Sequence, residues 1–235
     1  MRQQQIVKKV NSVLQDSIGV FVDNSEGLCD INENLIQKGD YFNTSNGYIY
    51  GYDGEATIVK INDVFKKISL GYTSGCKVFS SNSIICYKLH IKENVVDYLL
   101  LNDDKETNFH IAGRNIPVYR EGNKIIFTDK KKQIFLYDVR SNDIIWSYTC
   151  PEGRKIEGNL YAYQEVLAFI EGDEEGETTL VGLDIHSGEI LYKEVVGLIH
   201  YQQQDNKLYG FASTTFGDNT YSGSCIRLVG FSVRR

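Results

Sequence analysis

Carboxylates are most concentrated in one short segment of the sequence, Glu171–Thr179. It contains five acids within seven residues: Glu171, Asp173, Glu174, Glu175 and Glu177. Such a cluster projects a negative field, which would steer a basic partner and speed its association. The more common role of such a run, a solvated hairpin tip that keeps its strands soluble, stays open as an alternative. The run GDEEGE lacks the spacing of an EF-hand calcium loop, so no metal is predicted there.

A second segment, Ser213–Ser224, offers aromatic chemistry. Phe216 and Tyr221 lie among Gly, Asn, Thr and Ser residues, with Asp218 between them. Exposed aromatic rings beside adaptable polar residues are typical of protein interfaces. The alternative is that one or both rings pack onto a neighbouring sheet. We take the acidic and the aromatic segments together as the predicted partner-binding site.

The sequence contains no local motif for catalysis, cofactor binding or metal binding. It lacks a GxSxG elbow, a GxGxxG fingerprint, a P-loop and an HExxH pair. Its four histidines show neither i,i+4 nor i,i+2 spacing, so each is expected in a turn, at the surface or hydrogen-bonded. We therefore predict no metal, no cofactor and no enzymatic activity. Carboxylates from separate repeats could still meet in space, as in glycosidases.

Composition and charge exclude several classes of protein. The 235 residues are 42% hydrophobic and 24% charged, which supplies a sizeable core and excludes a disordered chain. The net charge of −6 argues against non-specific nucleic-acid binding, which needs a basic surface. No apolar run approaches the roughly 18 residues of a membrane span. The opening MRQQQIVKKVNSVLQ lacks the apolar region of a secretory signal, which favours the cytoplasm.

The cysteines support the same compartment. There are five, an odd number at irregular spacing and without a CxxC pair: Cys29, Cys76, Cys86, Cys150 and Cys225. This pattern disfavours a disulfide framework or a zinc site. We expect reduced cysteines that serve as small hydrophobic core residues.

Short antiparallel strands are predicted to position the acidic segment Glu171–Thr179 and the aromatic segment Ser213–Ser224. Runs rich in Ile, Val, Tyr, Phe and Leu alternate with clusters of Gly, Asn, Asp and Ser. LYDVRSNDIIW and GLDIHSGEILY align residue for residue, and weaker copies recur about forty residues apart. The repeats are anchored at Asp30, Asn62, Asn102, Asp138, Asp184 and Ser232. A four-stranded propeller blade takes roughly 40–45 residues.

Each repeat is read as four strands, named A to D from the axis outwards. In QIFLYDV both alternate faces are apolar, as expected for a blade buried between two neighbours. Trp146 is expected to pack between blades. The sixth repeat stops at Phe231–Arg235, the end of its strand C, and Gln5–Val10 is predicted to supply its outer strand. The prediction is thus an all-β, six-bladed propeller forming a single domain over residues 1–235, its sheet edges protected by closure.

The two strongest repeats resemble those of quinoprotein-like β-propellers, a PQQ-repeat, WD-like family. Those repeats share a strand, an Asp, a short Ser/Thr-Gly turn and an aromatic residue. IIFTDKKKQIFLYD is similar to the YWTD repeats of lipoprotein receptors as well. The match covers residues 123–195 well and the rest faintly. It implies a fold with very diverse functions and transfers no catalytic residue.

In such a blade the B–C turns and the D–A connections share one face. The B–C loops Leu89–Val95, Glu171–Thr179 and Ser213–Ser224 are predicted to be long, and long loops on a rigid scaffold commonly bind. We expect a non-enzymatic protein-binding module, monomeric alone, with a protein partner, and the acidic segment would favour a basic one. A more specific form of this prediction is a bacterial immunity protein that inhibits a cognate toxin. The alternative is a ligand- or carbohydrate-binding, or hydrolytic, propeller that uses its central channel.

Overall fold

The structure is a computed structural model. It describes residues 10–15, 20–32, 34–43, 49–61, 64–80, 82–102, 105–129, 131–163, 165–195, 198–204 and 207–212. The chain divides into two compact units, Met1–Arg114 and Asn115–Arg235. The single-domain organisation therefore stays a prediction.

The first unit consists of three four-stranded antiparallel sheets, each formed by consecutive strands. Sheet 1 contains β1 (Val10–Gln15), β2 (Val20–Asn24), β3 (Gly27–Cys29) and β4 (Leu35–Gln37). Sheet 2 contains β5 (Asp40–Asn43), β6 (Ile49–Tyr52), β7 (Thr57–Ile61) and β8 (Val64–Lys67). Sheet 3 contains β9 (Gly75–Ser80), β10 (Ser83–His90), β11 (Val95–Asn102) and β12 (Lys105–Ala112).

The second unit continues the same arrangement. Sheet 4 contains β13 (Ile116–Glu121), β14 (Lys124–Thr128), β15 (Gln133–Asp138) and β16 (Asp143–Thr149). Sheet 5 contains β17 (Lys155–Tyr163), β18 (Val166–Gly172), β19 (Thr178–Asp184) and β20 (Ile190–Val195). Sheet 6 has two described strands, β21 (Leu198–Gln204) and β22 (Lys207–Ala212).

The all-β class and the four-stranded antiparallel repeat are confirmed, but the number of complete sheets differs from the prediction. The described residues form five four-stranded sheets and one two-stranded sheet, where six four-stranded blades were expected. The expected end of the third strand of sheet 6, Phe231–Arg235, lies outside the described residues. So do Gln5–Lys9, and Val10 pairs with Asn24 inside sheet 1. No closure of the last sheet by the opening residues is found in the described chain.

The middle strands of the sheets are buried on both faces. Every residue of β18 is buried, and so is every residue of β7. The outer strands β16 and β20 are mostly exposed. Unbroken apolar runs such as Ile-Phe-Leu-Tyr of β15 therefore form middle strands of sheets 4 and 5, because both of their faces are buried.

The turns follow the repeat that the sequence displays. Asp184 Oδ1 accepts hydrogen bonds from the backbone N–H of His186 and Ser187, and Gly188 then adopts φ +75°. In the preceding repeat Asp138 accepts the corresponding bond from Arg140, and Asn142 takes φ +64°. An Asx turn followed by a left-handed residue closes both hairpins, and Gly and Asn adopt that conformation most readily.

Trp146 packs between two sheets, as predicted. Its indole Nε1 donates a hydrogen bond of 3.0 Å to the Ile185 carbonyl, which joins sheet 4 to sheet 5. A Cβ atom on Gly188 would lie 2.7 Å from the indole ring, so the ring rests directly on the glycine backbone. The apolar core of this unit includes Leu136, Phe169 and Leu183, and Trp146 packs against it.

The expectation that all cysteines are reduced is wrong for one pair. Cys76 on β9 and Cys86 on β10 stand directly opposite each other and form a disulfide. Cys29 and Cys150 are free and buried, as expected for core residues, and Cys225 lies outside the described residues. Because disulfides persist mainly in oxidising compartments, this bond weakens one argument for the cytoplasm.

Candidate functional site

The acidic segment lies at one end of sheet 5. In an antiparallel sheet of consecutive strands, the turn between the second and third strands and the connection into the first strand emerge at the same end. We call this the connection end of a sheet. At the connection end of sheet 5, residues 173–177 join β18 to β19, and residues 150–154 lead into β17. The acidic loop and the incoming connection are therefore neighbours.

The loop is shorter than the sequence indicated, because the strand ladder continues through its expected ends. Glu171 pairs with Thr179 across β18 and β19, and Gly172 pairs with Thr178. Five residues, 173–177, remain in the loop. Glu171, predicted as a partner-binding residue, belongs to the buried strand instead.

Glu171 is part of a buried polar cluster between sheets 4 and 5. Its side chain is 0% exposed. Tyr148 on β16 donates its hydroxyl hydrogen to Glu171 Oε1, and Lys193 Nζ on β20 lies 2.8 Å from Oε2. A buried charge needs such compensation. Glu171 therefore holds two sheets together and is not available to a partner.

The cluster also changes the acidity of its neighbours. Burial, together with the carboxylate of Glu171, raises the pKa of the Cys150 thiol to about 12. The same two causes, burial first, raise the pKa of the Tyr148 phenol. Both groups stay protonated near neutral pH, so neither is an activated nucleophile or base.

Arg154 from the incoming connection contacts the acidic loop. Its guanidinium donates hydrogen bonds to Thr179 Oγ1 and Glu177 Oε1, and its Nη2 lies 3.4 Å from Asp173 Oδ2. Arg154 was not among the predicted site residues, because nothing in the local sequence pattern links it to acids about twenty residues later. The four carboxylates of the loop and the guanidinium of Arg154 together carry a net charge of −3.

The backbone of the acidic loop is fixed by its first residue. Asp173 Oδ1 accepts hydrogen bonds from the backbone N–H of Glu175, at 3.1 Å, and of Glu177, at 2.8 Å. Gly176 adopts φ +88°, which closes the turn. Glu174 and Glu175 are exposed. Glu177 is exposed too but is held by Arg154, so Glu174 and Glu175 are the two further carboxylates that reach solvent from a loop whose shape is already set.

The rest of the predicted site is placed as follows. Phe216, Asp218 and Tyr221 lie outside the described residues. The B–C loop of sheet 3, expected over Leu89–Val95, consists of residues 91–94 only, because His90 and Val95 still pair in the ladder. The side chain of His90 is hydrogen-bonded, since its Nε2 lies 2.7 Å from Oδ2 of Asp97.

The described residues form neither a metal-binding cluster nor a membrane-spanning helix. No group of three or more His, Cys, Asp or Glu side chains comes together there as a metal site. In the same residues, no helix has the length and apolar character needed to cross a membrane.

No protein-family model matches the sequence, and no curated protein matches it either. Among solved structures, BamB from Moraxella catarrhalis is similar at 10% identity and a TM-score of 0.43, over 86% of this chain and 82% of that one. The dihydro-heme d1 dehydrogenase NirN aligns at 13% identity and 0.47, over 80% and 47%. The computationally designed Ika8 protein aligns at 12% identity and 0.47, over 86% and 68%. These similarities carry no argument about function.

Proposed function

We propose that the chain is a non-enzymatic binding module that holds a basic protein partner at the connection end of sheet 5. The observation that carries the proposal is the ordered acidic loop: Glu174 and Glu175 are exposed, while Asp173 fixes the backbone. A preformed loop loses little conformational entropy on binding. Its negative charges would speed encounter with a basic surface.

Arg154 gives the loop its second support. By bridging Asp173 and Glu177, it reduces the repulsion among the four acids and leaves the outermost two free to pair with a partner. In the finer form of the proposal, the partner is a basic toxin and the chain is its immunity protein, monomeric and cytoplasmic. This finer form depends on the acidic loop and on analogy with compact bacterial inhibitors.

We further propose that the sheets close into a six-bladed propeller of the quinoprotein-like kind, with residues before Val10 completing sheet 6. Five sheets of identical strand order support this, as do β21 and β22 at the positions expected for the first two strands of a sixth. An engineered disulfide between residue 5 and the third strand of sheet 6 would test the closure, since its formation requires that pairing.

The binding proposal is tested by capture from a lysate of the source organism with three immobilised proteins. They are the wild type, the charge reversal Glu174→Lys/Glu175→Lys, and the control Glu165→Lys/Glu189→Lys. The control changes net charge equally, but its exposed residues lie at the opposite end of sheet 5. We expect a basic protein to be retained by the wild type and the control and lost by the charge reversal. Equal capture by all three would refute the proposal.

A further inference from the structure

The first unit contains a pocket of about 180 Å³ between sheets 2 and 3. Tyr50 and Tyr52 line it from β6, and Thr57 lines it from the start of β7. Tyr72, Thr73 and Ser74, from the connection into β9, form the other wall. The pocket therefore lies at the connection end of these two sheets, and none of its lining residues belongs to the acidic loop.

The wall formed by the connection is held in place by backbone hydrogen bonds. The N–H of Thr57 donates to the Gly71 carbonyl at 2.9 Å, and the N–H of Ile68 donates to the Thr57 carbonyl at 2.9 Å. On the other side, Ser74 N donates to the Tyr87 carbonyl at 2.7 Å. The pocket is therefore already formed in the structure, which is the usual state of small-molecule sites.

Two aromatic rings form the mouth of the pocket. Tyr72 is 60% exposed, although it is a large aromatic side chain. Its ring lies 4.9 Å from that of Tyr52, with an interplanar angle of 83°. In an edge-to-face pair each ring covers at most one face of the other, so Tyr72 keeps at least one face clear of Tyr52. The Tyr52 hydroxyl is fixed by donating to the Gly54 carbonyl at 2.7 Å.

The remaining polar lining consists of hydroxyl groups. The Oγ1 atoms of Thr57 and Thr73 lie 2.9 Å apart, and the Thr73 N–H donates to Thr57 Oγ1. Ser74 Oγ accepts a hydrogen bond from the Leu89 N–H at 3.0 Å, which leaves its own hydrogen to donate. Among the residues that the structure describes, no Asp, Glu, Lys, Arg or His lines the pocket. A charged ligand such as a phosphate would find no counter-charge here.

We propose that this pocket binds one pyranose unit of a neutral saccharide. A pyranose has an apolar C–H face that can stack on a tyrosine ring, and its hydroxyls both donate and accept hydrogen bonds, as the lining does. The volume limits the ligand to about one sugar unit, because about 180 Å³ is less than the roughly 300–1,000 Å³ of sites for drug-sized molecules. The site is distinct from the protein-binding loop and does not depend on it.

Saturation-transfer NMR with methyl pyranosides of glucose, galactose, mannose and N-acetylglucosamine tests the proposal. We expect transfer to the C–H protons of one sugar face. Tyr72→Ala should weaken binding about tenfold, the loss of one stacked ring, whereas Tyr72→Phe should retain it. Val64→Ala, which truncates an exposed residue at the start of β8 and outside the pocket, is the control.

The source of the sugar is distinguished by a second panel of neutral oligosaccharides. Transfer to the methyl glycosides indicates that free sugars bind, whereas transfer only to the terminal unit of an oligosaccharide indicates a glycan end. Because Tyr72 is exposed, the variants are expected to fold, and an unchanged circular dichroism spectrum verifies this. Absence of transfer from both panels would overturn the proposal, as would transfer that Tyr72→Ala leaves unchanged.

Discussion

The buried pair of Glu171 and Lys193 gives the strongest stability prediction. Lys193→Met removes the ammonium 2.8 Å from Glu171 Oε2 and leaves that carboxylate, 0% exposed, without its counter-ion. Breaking a buried pair by removing one partner costs about 3–5 kcal/mol. Since Lys193 is itself 34% exposed, we expect the lower end of that range, about 3 kcal/mol.

Two further variants separate the charge from the hydrogen bond. Glu171→Gln keeps an acceptor for the Tyr148 hydroxyl but removes the negative charge, and Lys193 can still reach water. We expect a loss of about 1 kcal/mol. Combining the two changes should cost less than the sum of the single losses, because the double variant has no buried, uncompensated charge.

The assay is equilibrium unfolding in urea, followed by the fluorescence of the single tryptophan. Trp146 contacts both sheets that the cluster joins, so its signal reports on this unit. Lys155→Met is the matched control, because Lys155 is 62% exposed and 3.7 Å from Glu157. It should change the unfolding free energy by less than about 0.5 kcal/mol. An equally small change for Lys193→Met would refute the reasoning.

Three other predictions concern single positions. The raised pKa of Cys150, about 12 against an ordinary value of 9.0, should keep its thiol unreactive towards Ellman's reagent at pH 8.5 until the protein unfolds. Native Cys150 that is labelled as fast as in urea would contradict its burial. The stabilisation that comes with this raised pKa is complete below pH 9 and should be lost as the pH rises towards 12. Gly188→Ala should destabilise the protein by about 2 kcal/mol in urea unfolding, because it adds a clash with Trp146 to the backbone strain, whereas Gly122→Ala, at φ +58° in open space, should cost about 1 kcal/mol. Similar losses for both would contradict the role of Trp146. Maleimide labelling of the denatured protein should find two more thiols after reduction than before, and Cys76→Ser should abolish the difference; an equal count before and after reduction would contradict the Cys76–Cys86 bond.

The strands and turns could be predicted from the sequence because their signals are local. Alternation of apolar runs with turn residues predicts strands at Ile125–Asp129 and Val166–Ile170. The structure has β14 at Lys124–Thr128 and β18 at Val166–Gly172, within two residues of those bounds. The alignment of LYDVRSNDIIW with GLDIHSGEILY identified the Asp-initiated turn, whose geometry depends on residues adjacent in the chain. A propeller-type repeat also implied that the central strands are buried on both faces.

The site could be predicted only in part, because its contacts come from separate strands. In the sequence, nothing distinguishes Glu171 from the other acids of the segment Glu171–Thr179. Its burial is explained only by Tyr148 and Lys193, which approach it from outer strands. Cys76 and Cys86 pair because of the register between β9 and β10, which the spacing of the cysteines did not reveal. The pocket likewise combines a strand and a connection that the sequence does not link.

The central claim, that the acidic loop recruits a basic partner by charge, is tested most directly by association kinetics with the captured partner. Surface plasmon resonance at 50 and 300 mM salt should show that the wild-type association rate falls at least about tenfold at the higher salt. Glu174→Lys/Glu175→Lys should associate slowly at both salts, while Glu165→Lys/Glu189→Lys should behave like the wild type. Association that is independent of salt, or slowed equally by both double variants, would contradict the account.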